Sequence, residues 1–130
     1  MITRRRFTGA VALSPFFFGS TAHAGKDVAF TRAGFESALS QGKPILVDIS
    51  APWCPTCRAQ APIIKKLSAQ TTFKDLIIFH VDFDSQQDVV RSFGAQQQST
   101  LIVFKGGKET GRSVGDTDPA SIADLLTQAI

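Results

Sequence analysis

The sequence predicts an α/β domain with a central mixed β-sheet that carries helices on both faces. Two compact apolar runs, at 45–50 and 76–82, have the length and the β-branched composition of buried strands. Segments with apolar residues at helical spacing alternate with these runs, which is typical of a sheet covered by helices. A further pair of strands is expected around Gly106-Gly107, because two glycines suit a hairpin turn.

The first elements are predicted from their boundary residues. A short strand is expected at 27–30, and Thr31 can cap the helix that follows it. That helix runs to about Ser40 and ends before Gly42, since glycine readily ends a helix in the left-handed conformation. The run ILVDIS at 45–50 is then a buried strand.

A longer helix is predicted over residues 54–70. Pro62 should kink it, because proline lacks an N–H and collides with the preceding turn. The run LIIFHVD at 76–82 is the next buried strand, and a short helix at 86–93 ends at Gly94.

The last elements are a hairpin and a helix. Strands at 101–104 and 109–114 flank the two-glycine turn. Asp118 followed by Pro119 is typical of an N-cap and a first helical residue. The apolar residues of the final helix recur at helical spacing, at Ile122, Leu125, Leu126 and Ile130.

Residues 1–24 have the composition of a cleavable, twin-arginine-like export signal. The charged start Arg4-Arg5-Arg6 precedes an apolar stretch, Phe7–Phe18, which is well short of the ~20 residues that span a bilayer. Small residues then end in Ala22-His23-Ala24, the form that a signal peptidase cleaves. The start Thr3–Phe7 resembles a twin-arginine signal, and export by the Sec route is the alternative.

The remainder, residues 25–130, is predicted to be one periplasmic domain without a membrane anchor. Residues 1–24 hold three of the 14 basic residues and none of the 11 acidic ones, so the remainder carries 11 of each. A neutral domain without Tyr and with one Trp gives little support to nucleic-acid binding.

Cys54 and Cys57 are the only cysteines, and they follow a buried strand at the start of a helix. With two residues between them at a helix N-terminus, their sulfurs can come within bonding distance. Unpaired backbone N–H groups and the helix dipole favour the thiolate of Cys54, while Cys57 is expected to be more buried and harder to ionise. An exposed attacking thiolate and a protected resolving thiol are what dithiol exchange requires.

Other uses of this cysteine pair remain open. A structural disulfide would usually close a longer loop, because so short a ring removes little entropy from the unfolded chain. A zinc site normally needs four ligands, and His80 is the only histidine beyond the export segment. Chance spacing is the last alternative, although the strand–helix junction, with Trp53 before the pair and Pro62 after it, favours a functional motif.

The chain resembles the thioredoxin family over residues 27–130. The landmarks follow the family pattern from Asp48 onward without a gap. They are Asp48, Ala51-x-Trp53-Cys54-x-x-Cys57, Arg58, Ala61-Pro62, Phe93-Gly94, Thr100, Phe104-Lys105-x-Gly107 and Val114-Gly115. The resemblance implies the thioredoxin fold, with Cys54 as the nucleophile and Cys57 as the resolving thiol.

Asp48 is the residue expected to exchange a proton with Cys57, and His80 is a candidate to tune it. Asp48 lies inside an apolar strand, where burial disfavours the charged form of a carboxylate. The resemblance implies that it accepts the Cys57 proton, directly or through water, and an exposed position at the strand end is the alternative. His80 stands where the family usually has a lysine, so it either tunes Asp48 or is a core histidine.

Trp53, Pro55 and Thr56 surround the pair in sequence. Trp53 is expected to cover the site and to help dock substrate, with ordinary packing as the alternative. Pro55 suits the first helical turn, where no N–H is needed, and Thr56 can hydrogen-bond the Cys54 thiolate. A dipeptide that begins with proline resembles the family's glutaredoxins and disulfide oxidases more than thioredoxin itself, so the redox potential stays open.

Ser99-Thr100 stands where the family has a cis-proline followed by threonine. A cis bond before a non-proline residue costs ~3–4 kcal/mol, so the bond from Gln98 to Ser99 is expected to be trans. The resemblance implies that this loop faces the cysteines and offers backbone hydrogen bonds to an extended substrate segment. The Ser99 hydroxyl is expected to approach the sulfurs, and the loss of the proline raises the odds of metal capture.

These features predict an exported thiol–disulfide oxidoreductase that acts on protein disulfides. Its redox group is the Cys54–Cys57 disulfide, with no other cofactor and no metal. A reductase is favoured over an oxidase, because residues 25–130 lack the inserted helical domain of the family's periplasmic oxidases. The resemblance implies a membrane thiol-reductase as electron donor, and a monomer is expected. The alternative is a module that delivers copper or another soft metal through the same cysteines.

Overall fold

The computed structural model describes residues 26–130, so the predicted export signal lies outside the described residues. The strands of this part are β1 (Lys26–Ala29), β2 (Ile45–Ser50), β3 (Ile77–Asp82), β4 (Thr100–Lys105) and β5 (Lys108–Val114). They form one sheet in the order β1-β3-β2-β4-β5. β1, β3 and β2 are parallel, whereas β4 is antiparallel to β2 and β5 is antiparallel to β4. The sheet is therefore mixed, as the sequence predicts.

The helices of the described part cover both faces of the sheet. They are α1 (Arg32–Ser40), α2 (Pro55–Ser68), α3 (Gln87–Ser92) and α4 (Pro119–Thr127). A 3₁₀ turn at Thr71–Phe73, which the sequence pattern did not indicate, connects α2 to β3. Within residues 26–130, no helix is both long and apolar enough to cross a membrane. The predicted α/β class and the predicted element order are confirmed.

Two hydrophobic cores lie on opposite faces of the sheet. α1 and α3 cover a core built around phenylalanines whose rings meet mostly edge to face, with centroids 5.2–6.2 Å apart. α2 and α4 cover the other, which is mainly aliphatic. The phenylalanines of the first core are Phe30, Phe35, Phe79, Phe93 and Phe104. This packing fixes α2, whose start carries the cysteines.

Helix boundaries follow the predicted capping chemistry at several points. The Thr31 hydroxyl accepts the Gly34 N–H at 3.1 Å, and the Asp118 carboxylate accepts the Ala120 N–H at 3.2 Å. α2 continues through Pro62 to Ser68. The expectation that Ile130 continues the apolar stripe of the last helix is wrong, because α4 ends at Thr127 and Ile130 is 43% exposed.

β2 is the central strand and brings the chain to the site. It lies between β3 and β4, and Ile45, Leu46, Val47 and Ile49 are completely buried. Asp48 is the one acidic residue in this apolar strand, and it is 8% exposed. β2 ends at Ser50, and α2 starts five residues later. The short connection places Cys54 at the end of the central strand.

Candidate functional site

The two cysteines lie where the loop from β2 enters α2. Cys54 is the N-cap of α2, and its sulfur accepts the backbone N–H of Cys57 at 3.1 Å. Pro55 is the first helical residue, where the missing N–H costs nothing. Both thiols are free, so this is the reduced dithiol form of the pair. The thiol of Cys54 thus takes the place of the hydroxyl or carboxylate that usually caps a helix.

The expectation of an exposed Cys54 beside a more buried Cys57 is wrong for this reduced form. Cys54 is 1% exposed and Cys57 is 7% exposed. The reason is local: the Cys54 side chain turns inward to cap the helix and packs in a cluster with Ala51 and Cys57, against which Phe83 packs. A substrate must therefore approach closely, or shift the neighbouring side chains, to reach the Cys54 sulfur.

Cys57 has the properties of a thiol that stays protonated at neutral pH. Burial, together with the side-chain hydrogen bond from Cys54, raises the pKa of Cys57 from its ordinary 9.0 to about 11. The backbones of Ala51 and Ser99 act in the opposite direction, but more weakly than burial. Cys57 can attack only after a base removes its proton, which agrees with the expectation that this thiol is hard to ionise.

Asp48 forms part of a carboxylate–imidazole–carboxylate group. His80 pairs with Asp48 across β2 and β3, and its Nδ1 lies 3.4 Å from Asp48 Oδ2. The other ring nitrogen of His80 lies 2.8 Å from Asp27 Oδ1 on β1. The alternatives of an exposed Asp48 and of a core His80 are both wrong, since Asp48 is buried and the His80 side chain is 43% exposed. His80 therefore links the buried acid to the surface.

The two carboxylates stabilise the imidazolium form of His80. The hydrogen bond to Asp48 is the main cause that raises the pKa of His80 from 6.5 to about 9, against the opposing effect of burial. The hydrogen bond to Asp27 also raises the pKa of His80. At neutral pH His80 is therefore an imidazolium, which lies between the Asp48 and Asp27 side chains.

The free energy of unfolding should depend on pH through the ionisation of His80. Because the folded-state pKa of His80 is raised, its contribution is complete below about pH 6.5 and is lost as the pH rises through about 9. We expect His80→Gln to lower the free energy of unfolding by about 1 kcal/mol at pH 6, a value reduced for solvent screening of a half-exposed side chain. Urea unfolding of the parent and of His80→Gln at pH 6 and pH 10 measures this difference. An equal loss of unfolding free energy at both pH values would contradict the role of the His80 imidazolium.

Asp48, His80 and Cys57 line one open cavity of about 490 Å³. Arg58 and Asp82 contribute charged groups to its wall. Cys57 lines this cavity but Cys54 does not, and the cavity is large enough to hold water molecules. A proton can therefore pass from Cys57 to Asp48 through water without a direct contact.

Trp53 immediately precedes the pair and is 53% exposed. Its indole Nε1 donates to Asp84 Oδ2 at 2.8 Å, and its ring meets Phe83 edge to face with centroids 6.5 Å apart. Because Phe83 in turn packs against the cysteine cluster, Trp53 is held beside the site although it is not a core residue. It presents a large apolar surface to an approaching protein.

Ser99 and Thr100, called the Ser99 segment below, lie where β4 starts, and the Ser99 backbone lies beside Cys57. Ser99 and Thr100 are buried, and the Ser99 backbone lies close enough to Cys57 to affect its ionisation. The expectation of a trans bond before Ser99 is confirmed, since the described residues contain no cis peptide bond. The Ser99 hydroxyl donates to the Gln98 carbonyl at 2.6 Å, and the Thr100 hydroxyl donates to the Gln97 carbonyl at 2.7 Å. Both hydroxyls are thus engaged within the loop.

Two expected contacts are not formed. The prediction that the Ser99 hydroxyl turns to the sulfurs is wrong, because the nearest backbone carbonyl captures it. Thr56 makes no hydrogen bond to Cys54 within the described part of the chain, where the Cys57 N–H is the donor to that sulfur. Backbone geometry explains both outcomes, since a local carbonyl or a helix N–H is already at hydrogen-bond distance.

Several contributors were missed by sequence reasoning. No sequence pattern singled out Asp27 or Asp84, yet they bind His80 and Trp53. Gln60, which is 1% exposed, donates to the backbone of the Ser99 segment and of Asp116. A glutamine among the inward positions of α2, one turn after Cys57, was the only available signal for Gln60. Within residues 26–130, no three His, Cys, Asp or Glu side chains are grouped as metal ligands.

Comparison with known proteins agrees with this geometry. The thioredoxin family model matches residues 26–128. Thioredoxin-1 of Saccharomyces cerevisiae is 38% identical over 96 residues, which cover 74% of this chain and 90% of the yeast protein. Thioredoxin of Mycobacterium tuberculosis H37Rv is 33% identical over 101 residues, which cover 77% of this chain and 86% of that protein.

A solved structure extends the similarity to three dimensions. The crystal structure of Trxlp from Edwardsiella tarda EIB202 superposes with a TM-score of 0.77 at 40% sequence identity, covering 78% of this chain and 99% of that one. Sheet order, cysteine position and sequence similarity therefore all indicate the same family. The chain belongs to the thioredoxin family, and its Cys54–Cys57 pair is that of a thiol–disulfide oxidoreductase.

Proposed function

We propose that this protein is an exported reductase of protein disulfides. The observation that carries the proposal is the free Cys54–Cys57 pair at the N-terminus of α2, in the fold of a family of thiol–disulfide oxidoreductases. The pair forms the redox group, and no further cofactor is needed for two-electron exchange.

Reduction proceeds in two exchanges. The Cys54 thiolate attacks one sulfur of the substrate disulfide, so a mixed disulfide forms and the other substrate sulfur leaves as a thiolate. The Cys57 thiol then gives up its proton and attacks the Cys54 sulfur, which releases the second substrate thiolate and forms the Cys54–Cys57 disulfide. The substrate gains two electrons and two protons, and the protein loses the same.

Asp48 is the base that the second exchange requires. Since burial holds the pKa of Cys57 at about 11, this thiol needs an acceptor for its proton at neutral pH. Asp48 faces the same cavity as Cys57, and the His80 imidazolium lies between Asp48 and Asp27, where it holds the Asp48 carboxylate in place. The arrangement supports transfer through water, because the cavity is open.

The substrate docks on the surface around the pair. Trp53 offers an exposed apolar ring next to the pair, and the backbone of Ser99 lies beside Cys57. The Ser99 carbonyl already accepts the Gly115 N–H at 2.9 Å and the Gln60 amide at 3.4 Å. Other backbone groups of this segment must therefore supply any hydrogen bonds to an extended substrate chain.

Export supplies the setting for this activity. Arg4-Arg5-Arg6, the apolar stretch after it and Ala22-His23-Ala24 support transfer to the periplasm by the twin-arginine route, where the released domain acts as a monomer. A reductase in an oxidising space needs a membrane thiol-reductase to return electrons to the pair. Cell fractionation tests this: the doubly substituted Arg4→Lys/Arg5→Lys protein should stay inside, and export at the parent level would point to the Sec route.

The reduction potential of the Cys54–Cys57 couple tests the direction of electron flow. We expect equilibration with glutathione to give a value more negative than about −230 mV, in the range of reductases of this kind. A value near about −120 mV, that of a strong disulfide oxidant, would show an oxidase instead. Stoichiometric Cu(I) binding without any reaction with disulfides would replace the proposal by metal delivery.

A further inference from the structure

Gln60 is a polar residue on the buried side of α2. The inward positions of this helix are Cys57, Gln60, Ile64 and Ser68, so Gln60 follows Cys57 by one turn on the same side. Its exposed fraction is 1%, which makes it one of the most buried polar side chains of the described part. A buried amide is costly unless its polar atoms are paired, so its partners show what it does.

The Gln60 amide nitrogen joins α2 to both loops beside the cysteines. Nε2 donates to the Asp116 carbonyl at 2.8 Å and to the Ser99 carbonyl at 3.4 Å. The Ser99 carbonyl also accepts the Gly115 N–H at 2.9 Å. One side chain on the cysteine helix thus connects the segment before β4 with the segment after β5.

The Ser99 segment needs such a restraint. Ser99 has a φ of 55°, in the left-handed region that residues with a side chain seldom occupy. A serine does not fix its own backbone as a proline ring does, so neighbouring contacts must hold this conformation. Ser99 lies beside Cys57, and a change in its position would alter the surface that a substrate meets.

Stability alone does not account for the amide. The Gln60 Oε1 is buried, and none of residues 26–130 donates a hydrogen bond to it, which is unfavourable compared with an apolar side chain of similar shape. The amide nitrogen of Gln60 thus forms hydrogen bonds within residues 26–130, whereas its amide oxygen does not. We therefore assign the contribution of Gln60 to its two hydrogen bonds from Nε2, which hold the loops of Ser99 and Asp116 in position.

We propose that Gln60 is a positioning residue for disulfide exchange, which holds the Ser99 segment against the cysteine pair and thereby sets the affinity for protein substrates. The inference rests on the proposed function and deepens it. Gln60 makes its contacts through backbone carbonyls and acts through Ser99. Its loss should loosen the docking surface and leave the chemistry of the two sulfurs intact.

The test compares Gln60→Met with the matched control Gln96→Met. Methionine keeps the length and apolar volume of the side chain but cannot donate, and Gln96 is an exposed glutamine next to the Ser99 segment. For reduction of a protein disulfide, we expect Gln60→Met to raise KM about fivefold, with kcat little changed. The rate with a small symmetrical disulfide should stay at the parent level, and Gln96→Met should match the parent with both substrates.

Amide hydrogen exchange separates this inference from the proposed function. In Gln60→Met, the N–H groups of Ser99, Thr100 and Gly115 should exchange faster, while those in the centre of β4 stay protected. This result is expected even if the parent reduces no disulfide. The exchange experiment can therefore contradict the positioning role of Gln60 without contradicting the proposed function, and the reverse also holds. Unchanged exchange at the three residues, an unchanged KM, or an equal loss with the small and the protein disulfide would overturn the proposal.

Discussion

Cys54→Ser should reduce the turnover of a protein disulfide by roughly a thousandfold or more, to the uncatalysed background. A serine hydroxyl does not ionise near neutral pH and is a poor nucleophile toward a disulfide sulfur, so no mixed disulfide can form. The fold should survive, because serine is a favourable N-cap and can accept the Cys57 N–H in place of the sulfur. An insulin-reduction assay with a chemical electron donor measures the change.

The control for this variant is Ala59→Ser, which adds one hydroxyl at an exposed position of the same helix. It should keep the parent turnover, and both variants should unfold at denaturant concentrations close to the parent value. Insulin reduction by Cys54→Ser at more than a tenth of the parent rate would remove Cys54 from the role of nucleophile.

Cys57→Ser should stop the reaction halfway and accumulate a covalent adduct. The Cys54 thiolate is still present and attacks a substrate disulfide, but no second thiol is available to release the product. Steady-state turnover should therefore fall by about a hundredfold or more, while adduct formation in the first turnover stays near the parent rate. A substrate with a single internal disulfide gives an adduct whose mass is the sum of the two proteins.

Dithiothreitol should dissolve that adduct and return both proteins, which shows that the bond is a disulfide. Peptide mapping should place it on Cys54. A Cys57→Ser protein that turns over as fast as the parent would mean that resolution by the inner thiol is not part of the mechanism.

Features set by neighbouring residues could be predicted from the sequence. Thr31 and Asp118 cap helices through N–H groups two or three residues away, and the cysteine pair marks a strand–helix junction by its own spacing. Gly106 and Gly107 both have the positive φ that a tight hairpin requires. Such features need no knowledge of tertiary packing.

Features set by distant residues could not be predicted. Asp27 and His80 are 53 positions apart and meet only because β1 pairs with β3 in one particular parallel register. Gln60 bonds to carbonyls 39 and 56 positions away. Phe83, which packs against the cluster of Ala51, Cys54 and Cys57, comes from the loop after β3. No local pattern carries these contacts, so the sequence showed the reacting residues and missed most of what surrounds them.

The most direct test of the account is the mass of the reduced protein after reaction with one equivalent of a protein that has a single disulfide. Dithiol exchange predicts that this chain loses two hydrogens and yields a peptide with a Cys54–Cys57 disulfide, while the substrate gains two hydrogens. If the chain keeps both free thiols and the substrate stays oxidised, the Cys54–Cys57 pair is not a disulfide-exchange site.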